Sequence, residues 1–205
     1  MSLTVSALRQ LSPERLTVLL SDGTEIASTL TAAAALRLYA GRELDEDTLR
    51  ELRALSSTAL ARERALQLLS RRPHSCHELR QKLLQKGEEE AVADAVVAWL
   101  CEQDFLNDER FAAMLVRHYA AKNYGAGRIR EELRRRGLAR ELWDAALEEL
   151  PEADEKLRRF LSTRLKHPED RAEVQRVTNA LFRRGYSWEQ IRSALRAFSD
   201  TVFED

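Results

Sequence analysis

Apolar residues recur in this chain at one spacing around three separate glycines. The segments Glu78–Gly87, Arg128–Gly137 and Arg176–Gly185 align without gaps. Leu79/Leu83, Ile129/Leu133 and Val177/Leu181 stand eight and four positions before their glycines, and that i, i+4 spacing stacks each pair on one helix face. Beyond the glycines, Val96-Val97, Ala146-Leu147 and Ala194-Leu195 fall nine and ten positions on, with Leu100, Leu150 and Phe198 at thirteen. A further helix with its own apolar stripe is therefore predicted after each glycine. The upstream runs Ala61–Ser70, Phe111–Tyr119 and Lys156–Leu165 predict a first helix. Each unit reads helix, helix, glycine corner, helix.

The corners have a local cause. Lys86, Arg136 and Arg184 precede the glycines, and positive charge suits a helix C-terminus, where carbonyls lack partners. Gly87, Gly137 and Gly185 are then expected in the left-handed C′ position, which glycine adopts at little cost. Ser75 with Glu78 forms a capping box for the second helix of the first unit. Asn107 or Asp108 can cap the first helix of the second. The glycines lie 50 and 48 residues apart, longer than tetratricopeptide or ankyrin periods and slightly longer than HEAT or armadillo ones. The fold class expected is mainly α, with three tandem three-helix repeats stacked into an elongated curved array.

The first part of the chain differs. Arg15–Leu20 and Glu25–Thr29 are β-prone runs around Ser21-Asp22-Gly23-Thr24, and an Asp-Gly pair between such runs predicts a hairpin. Thr4–Arg9 is a candidate third strand. Two short helices are expected next, Ala32–Tyr39 stopped by Gly41, and one from Asp45 as N-cap to about Leu55. The expected divisions are residues 1–56 for this segment, then repeats over 57–103, 104–151 and 152–205.

Composition narrows the function classes. The 33 basic and 34 acidic residues leave a net charge of −1, so overall charge draws no nucleic acid, and any such contact must come from local clusters. No apolar run reaches the ~18 residues of a membrane span. No basic stretch followed by an apolar core opens the chain, so a cytoplasmic location is expected. Two cysteines, Cys76 and Cys101, read as free thiols in a reducing compartment.

Candidate chemistry is sparse. His74, Cys76 and His77 would hold a metal only by converging with Cys101 or His118, and no second Cys/His pair has zinc-finger spacing. No cofactor, metal site or catalytic constellation is expected. Gly125-Ala126-Gly127 follows no strand and reads as a tight entry into helix 128–136, whose N-terminus beside Arg128 is a candidate anion site. The polar feature that stands out is arginine. Arg128, Arg130, Arg134 and Arg135 in the second repeat, with Arg158, Arg159 and Arg183 in the third, are the candidate partner-binding residues. Arg136 is expected to serve its own helix end. The bland alternative is a solvated face balanced by Glu131 and Glu132.

At these residues the sequence resembles the RecX family, regulators of the bacterial recombinase RecA. The resemblance spans nearly the whole chain. It rests on Ala65-Leu66 through His74-Ser75, Glu78-Leu79, Lys82-Leu83 and Lys86-Gly87, then on Phe105-Leu106-Asn107-Asp108 with Arg110-Phe111-Ala112. It continues through Gly125, Arg128-Ile129, Glu132-Leu133 and Gly137 to Arg183-Arg184-Gly185-Tyr186-Ser187. Cys76 departs from the arginine usual after the serine, and Leu138 replaces a common isoleucine. The resemblance implies a non-enzymatic protein that binds along the groove of a RecA filament on single-stranded DNA. It further implies inhibition of strand exchange and of co-protease function, and so a part in DNA repair, homologous recombination and the SOS response. A monomer with weak direct DNA contact is expected. The competing reading is a helical-repeat nucleic-acid-binding protein acting without RecA.

Overall fold

The computed structural model describes residues 2–148, 150 and 154–202, with side chains described through residue 199. Its four strands and ten helices among these residues fall into two compact units, 1–106 and 107–205.

In the first unit, β1 (Leu3–Gln10), β2 (Arg15–Leu20) and β3 (Glu25–Thr29) form an antiparallel meander. The Asp-Gly turn joins β2 to β3, with Gly23 at φ 89° and the Asp22 carboxylate accepting the Thr24 N–H at 2.9 Å. Alternation along β2 turns Leu16, Val18 and Leu20 inward onto Val5, Ala33, Leu36, Leu44 and Leu52. A fourth strand, β4 (Glu43–Leu44), pairs with β1 and completes the order β3-β2-β1-β4. Sequence reading missed it, because two residues carry no periodicity and the strand exists only by covering the edge of β1. The helix expected over Ala32–Tyr39 is shorter and earlier. It is α1 (Leu30–Ala35), started by the Thr29 hydroxyl accepting the Ala32 N–H at 3.2 Å. Arg37 at φ 49° breaks it ahead of Gly41.

The larger departure is α2 (Glu46–Leu69). A helix from Asp45 to about Leu55 and a separate one over Ala61–Ser70 were expected, yet one 24-residue helix runs through both. No glycine or proline interrupts Ser56-Ser57-Thr58, and their modest helix propensity is overridden by packing. Ser56 is buried, and its hydroxyl shares a 2.7 Å hydrogen bond with that of Ser28 in β3. Residues 56 and 57 are thus inside a helix. Leu52 belongs to the core under the sheet, while Ala61 and Ala65 belong to the first-repeat core. That second core is completed by Leu79 and Leu83 of α3 (Cys76–Gln85), Val96 and Leu100 of α4 (Glu90–Glu102), and Leu106. Both halves of the Ser75/Glu78 capping box are formed.

The second unit holds α5 (Asp108–Ala121), α6 (Ala126–Arg135), α7 (Glu141–Glu148), α8 (Asp154–Arg164), α9 (Arg171–Arg183) and α10 (Trp188–Val202). Asn107 is the N-cap of α5, its side chain accepting the Arg110 N–H at 2.9 Å. Ile129 and Leu133 pack with Phe111, Leu115, Val116 and Ala146. Val177 and Leu181 pack with Leu157, Leu161, Tyr186 and Ile191. The expected repeat boundary at 151/152 lies outside the described residues.

Gly87, Gly137 and Gly185 have φ of 89°, 69° and 86°. The residue after each returns its N–H to the carbonyl five back: Glu88 to Leu83 at 3.1 Å, Leu138 to Leu133 at 3.2 Å, Tyr186 to Leu181 at 3.3 Å. Each glycine's own N–H bonds three back, so all three corners are Schellman motifs.

Candidate partner-binding groove

Burial of Ile129 and Leu133 dictates what the rest of α6 presents. Arg130 and Arg134 are one helical turn apart on the outer face, and both are exposed. Arg128 is exposed as well and pairs with Glu131. Arg135 and Arg136 behave differently, because Glu132 is not on the solvated face that the alternative reading gave it. Glu132 is only 4% exposed and accepts from Arg135 Nε at 3.0 Å and Arg136 Nε at 2.9 Å. The bond from Arg135, helped by those from Arg136 and Tyr119, outweighs burial and holds its carboxyl at a pKa of about 2. Arg135 and Arg136 thus both neutralise a buried carboxylate, and at the helix end it is the backbone N–H of Arg136 that bonds the Glu132 and Arg134 carbonyls.

The third repeat supplies the opposite wall. Phe182 and Arg183 end α9, Gly185 turns the chain, and Ser187 starts α10. The Ser187 hydroxyl accepts the Gln190 N–H at 3.1 Å while the Gln190 side chain accepts the Ser187 N–H at 3.0 Å, a reciprocal cap. Between this corner and α6 lies an open groove of about 560 Å³. Arg128, Arg130, Arg134 and Arg183 line it with Trp143 and Phe182, four guanidinium groups against the single carboxylate of Glu131. Arg130, Arg134 and Arg183 make no ion pair with any described residue. Such a site offers planar, charge-assisted donors to carboxylates or phosphates.

The two glycines at the start of α6, the N-cap Gly125 and Gly127 in its first turn, have a further cause besides tight helix entry. The Gly185 corner rests on them. Gly125 N–H donates to the Arg184 carbonyl at 2.8 Å, and Gly127 N–H to the Gly185 carbonyl at 2.9 Å. A Cβ on Gly125 would stand 2.5 Å from the Gly185 oxygen. Backbone carbonyls therefore hold two of the amides at this helix start, those of Gly125 and Gly127. Arg184 also acts across repeats, not only at its own helix end. Its guanidinium donates to the carbonyls of Lys122 and Asn123 at 3.3 and 3.4 Å, at the end of α5, and stands 5.2 Å from the Phe160 ring centre.

Arg158 and Arg159 do not reach this groove. Both are exposed on α8, where Arg159 pairs with Glu155 at 3.1 Å and lines a separate cleft with Lys156 and Arg164. Phe182, 64% exposed, and Trp143 escaped the sequence reading. A signal existed in the repeat register. The position after the core leucine is Leu84, Arg134 and Phe182 in the three units; Leu84 is partly buried against its core, whereas Arg134 and Phe182 are exposed.

Among the described residues no group of three or more His, Cys, Asp or Glu side chains gathers as a metal site. His74 is buried with Nδ1 2.9 Å from the Arg72 carbonyl oxygen, and burial, then the Arg72 charge, lowers its pKa.

Comparison with known families matches the three repeats in order: RecX first three-helix domain over residues 61–100, second over 107–147 and third over 152–195. The chain belongs to the RecX family. Regulatory protein RecX of Vibrio campbellii is 37% identical over 147 residues, covering 70% of this chain and 94% of that protein. Regulatory protein RecX of Xanthomonas axonopodis pv. citri is 40% identical over 138 residues, covering 65% and 85%. In fold, the chain is similar to a crystal structure of regulatory protein RecX at a TM-score of 0.74 and 23% identity, over 94% of this chain and 98% of that one. RecX from Lactobacillus salivarius matches at a TM-score of 0.65 and 19% identity, over 70% and 97%. The family assignment makes this chain a RecX-type regulatory protein.

Proposed function

We propose that this protein binds the RecA filament on single-stranded DNA and inhibits its recombinase and co-protease activities without catalysing a reaction itself. The observation that carries this reading is the groove between α6 and the α9–α10 corner, where Arg130, Arg134 and Arg183 stand without ion-pair partners among the described residues. Membership of a family of regulatory proteins supports a binding role. In this reading the groove takes acidic side chains or phosphates of the filament, and a cytoplasmic monomer acts in DNA repair and the SOS response. The test is RecA ATPase and strand exchange on single-stranded DNA, titrated with this protein. Inhibition well below one copy per RecA protomer is expected, and undiminished activity at equimolar protein overturns the reading.

A second reading, nucleic-acid binding without RecA, draws on one observation. Phe182 and Trp188 are exposed, Phe182 lining the groove and Trp188 next to its lining residue Ser187, as a surface for stacking bases requires. The net charge of −1 counts against it, since phosphate-driven affinity needs basic excess. Capture of RecA from a bacterial lysate after nuclease treatment separates the two.

A further inference from the structure

Cys76 and Cys101 are 25 residues apart in sequence, yet their Sγ atoms lie 3.4 Å from each other. Cys76 is the first residue of α3 and Cys101 lies in the last turn of α4. The two helices are held together by Leu79, Leu83, Val96 and Leu100 between them and by Arg80 Nε donating to Asp94 at 2.5 Å. The sulfurs therefore meet because the packing of the repeat brings them together. Cys101 is exposed and Cys76 half-buried, so a reagent in solution reaches the pair. A disulfide needs the sulfurs at about 2.05 Å, an approach of roughly 1.4 Å, which side-chain rotation at two helix ends can supply. Tetrahedral metal binding needs four ligands, and the described residues offer no third one here.

We propose that Cys76 and Cys101 are a redox-modification site, closing to an intramolecular disulfide by exchange with a small-molecule disulfide such as oxidised glutathione. The exposed Cys101 thiolate attacks one sulfur of the reagent, forming a mixed disulfide and releasing one glutathione thiolate. The Cys76 thiolate then attacks the Cys101 sulfur and expels the second glutathione. The protein loses two protons and two electrons, and the reagent gains them as two thiols. Reduced thiols restore the open pair by the reverse exchange. The closed form ties the start of α3 to the end of α4 and restricts the unfolded chain across the intervening loop, so the first repeat becomes harder to unfold.

The test uses the full chain incubated with oxidised glutathione, then read by intact mass, non-reducing peptide mapping and thermal unfolding. The expected product has lost two hydrogens, carries no glutathione and yields one cross-linked peptide joining Cys76 to Cys101. Its unfolding midpoint rises by several degrees and returns after dithiothreitol. Cys76→Ser and Cys101→Ser variants each take up one glutathione and show no such rise. Wild-type protein that accumulates glutathione at both cysteines, forms disulfide-linked dimers or stays reduced overturns the proposal. Peptide mapping of wild type gives this answer even if a serine variant folds poorly.

Discussion

The carbonyl oxygen of Gly185 accepts the Gly127 N–H at 2.9 Å, so the corner of the third repeat is fastened to the start of α6. The corner glycines and the N-cap glycine of α6 should therefore differ in what a methyl group costs them. Gly87 has open space around it, and Gly87→Ala should lose only the left-handed preference, about 1 kcal/mol. Gly125 has an ordinary φ of −83°, so Gly125→Ala is penalised by contact alone, on the order of 1–3 kcal/mol. Gly185→Ala suffers both, with its Cβ driven into the backbone nitrogen of Arg128, and should be the most damaging. Denaturant midpoints for the three variants check this order. A ranking with Gly87→Ala as the worst would contradict the docking of the corner on α6.

Arg130→Ala/Arg134→Ala should leave the fold nearly intact, because exposed charges rarely contribute more than ~1 kcal/mol. Inhibition of RecA should weaken, most of all at low salt, where guanidinium contacts are least screened. As salt rises the wild type should lose potency faster than the variant, and the gap should close. Circular dichroism and RecA ATPase across a salt series measure both effects. A folded variant with wild-type potency throughout would make this face ordinary solvated surface.

Much of this architecture is legible in the chain because repetition states it three times. The i, i+4 pairs, the glycine corners and the Ser75 cap depend on local spacing, and each is where that spacing predicts. What escaped depends on contacts between distant residues. β4 exists by pairing with β1, and α2 stays continuous because Ser56 finds Ser28 across the core. Glu132 is indistinguishable from Glu131 by composition, but the turn of α6 puts one under Arg135 and Arg136 and leaves the other exposed. In the groove, the α6 arginines were visible as a cluster. Their meeting with Arg183 and Phe182 is set by how the Gly185 corner docks on α6.

Glu132 should give the second unit a pH-dependent stability. Its carboxyl is held at about 2 in the folded chain against 4.5 ordinarily, so the folded state favours the ionised form. That contribution is complete above about pH 4.5 and is lost as the pH falls towards 2. Glu132→Gln should cost about 1–3 kcal/mol at neutral pH and flatten the acid limb of the stability curve. Unfolding midpoints of both proteins between neutral pH and pH 3 test this. Parallel curves would mean that the Arg135 and Arg136 pairs contribute nothing net.

Chelators should leave the protein unchanged. Dialysis against EDTA should not shift the melting temperature, and zinc should not copurify in stoichiometric amount. A lowered melting temperature, or zinc copurifying in stoichiometric amount, would restore His74, Cys76, His77 and Cys101 as metal-ligand candidates.

The unbroken α2 has a consequence for what the gene can tolerate. Consecutive residues of a helix point about 100° apart, so a rigid rod fixes the rotational phase of everything along it. Leu52 must face the sheet while Ala61 and Ala65 face α3 and α4. Adding a single residue between Leu55 and Ala61 turns one of these faces away from its core by more than a quarter revolution. Adding a full heptad nearly restores the angle but slides the two cores about 10 Å apart, which breaks the Arg15–Glu63 ion pair bridging them. This stretch, an ordinary run of serine and threonine, should accept insertions poorly.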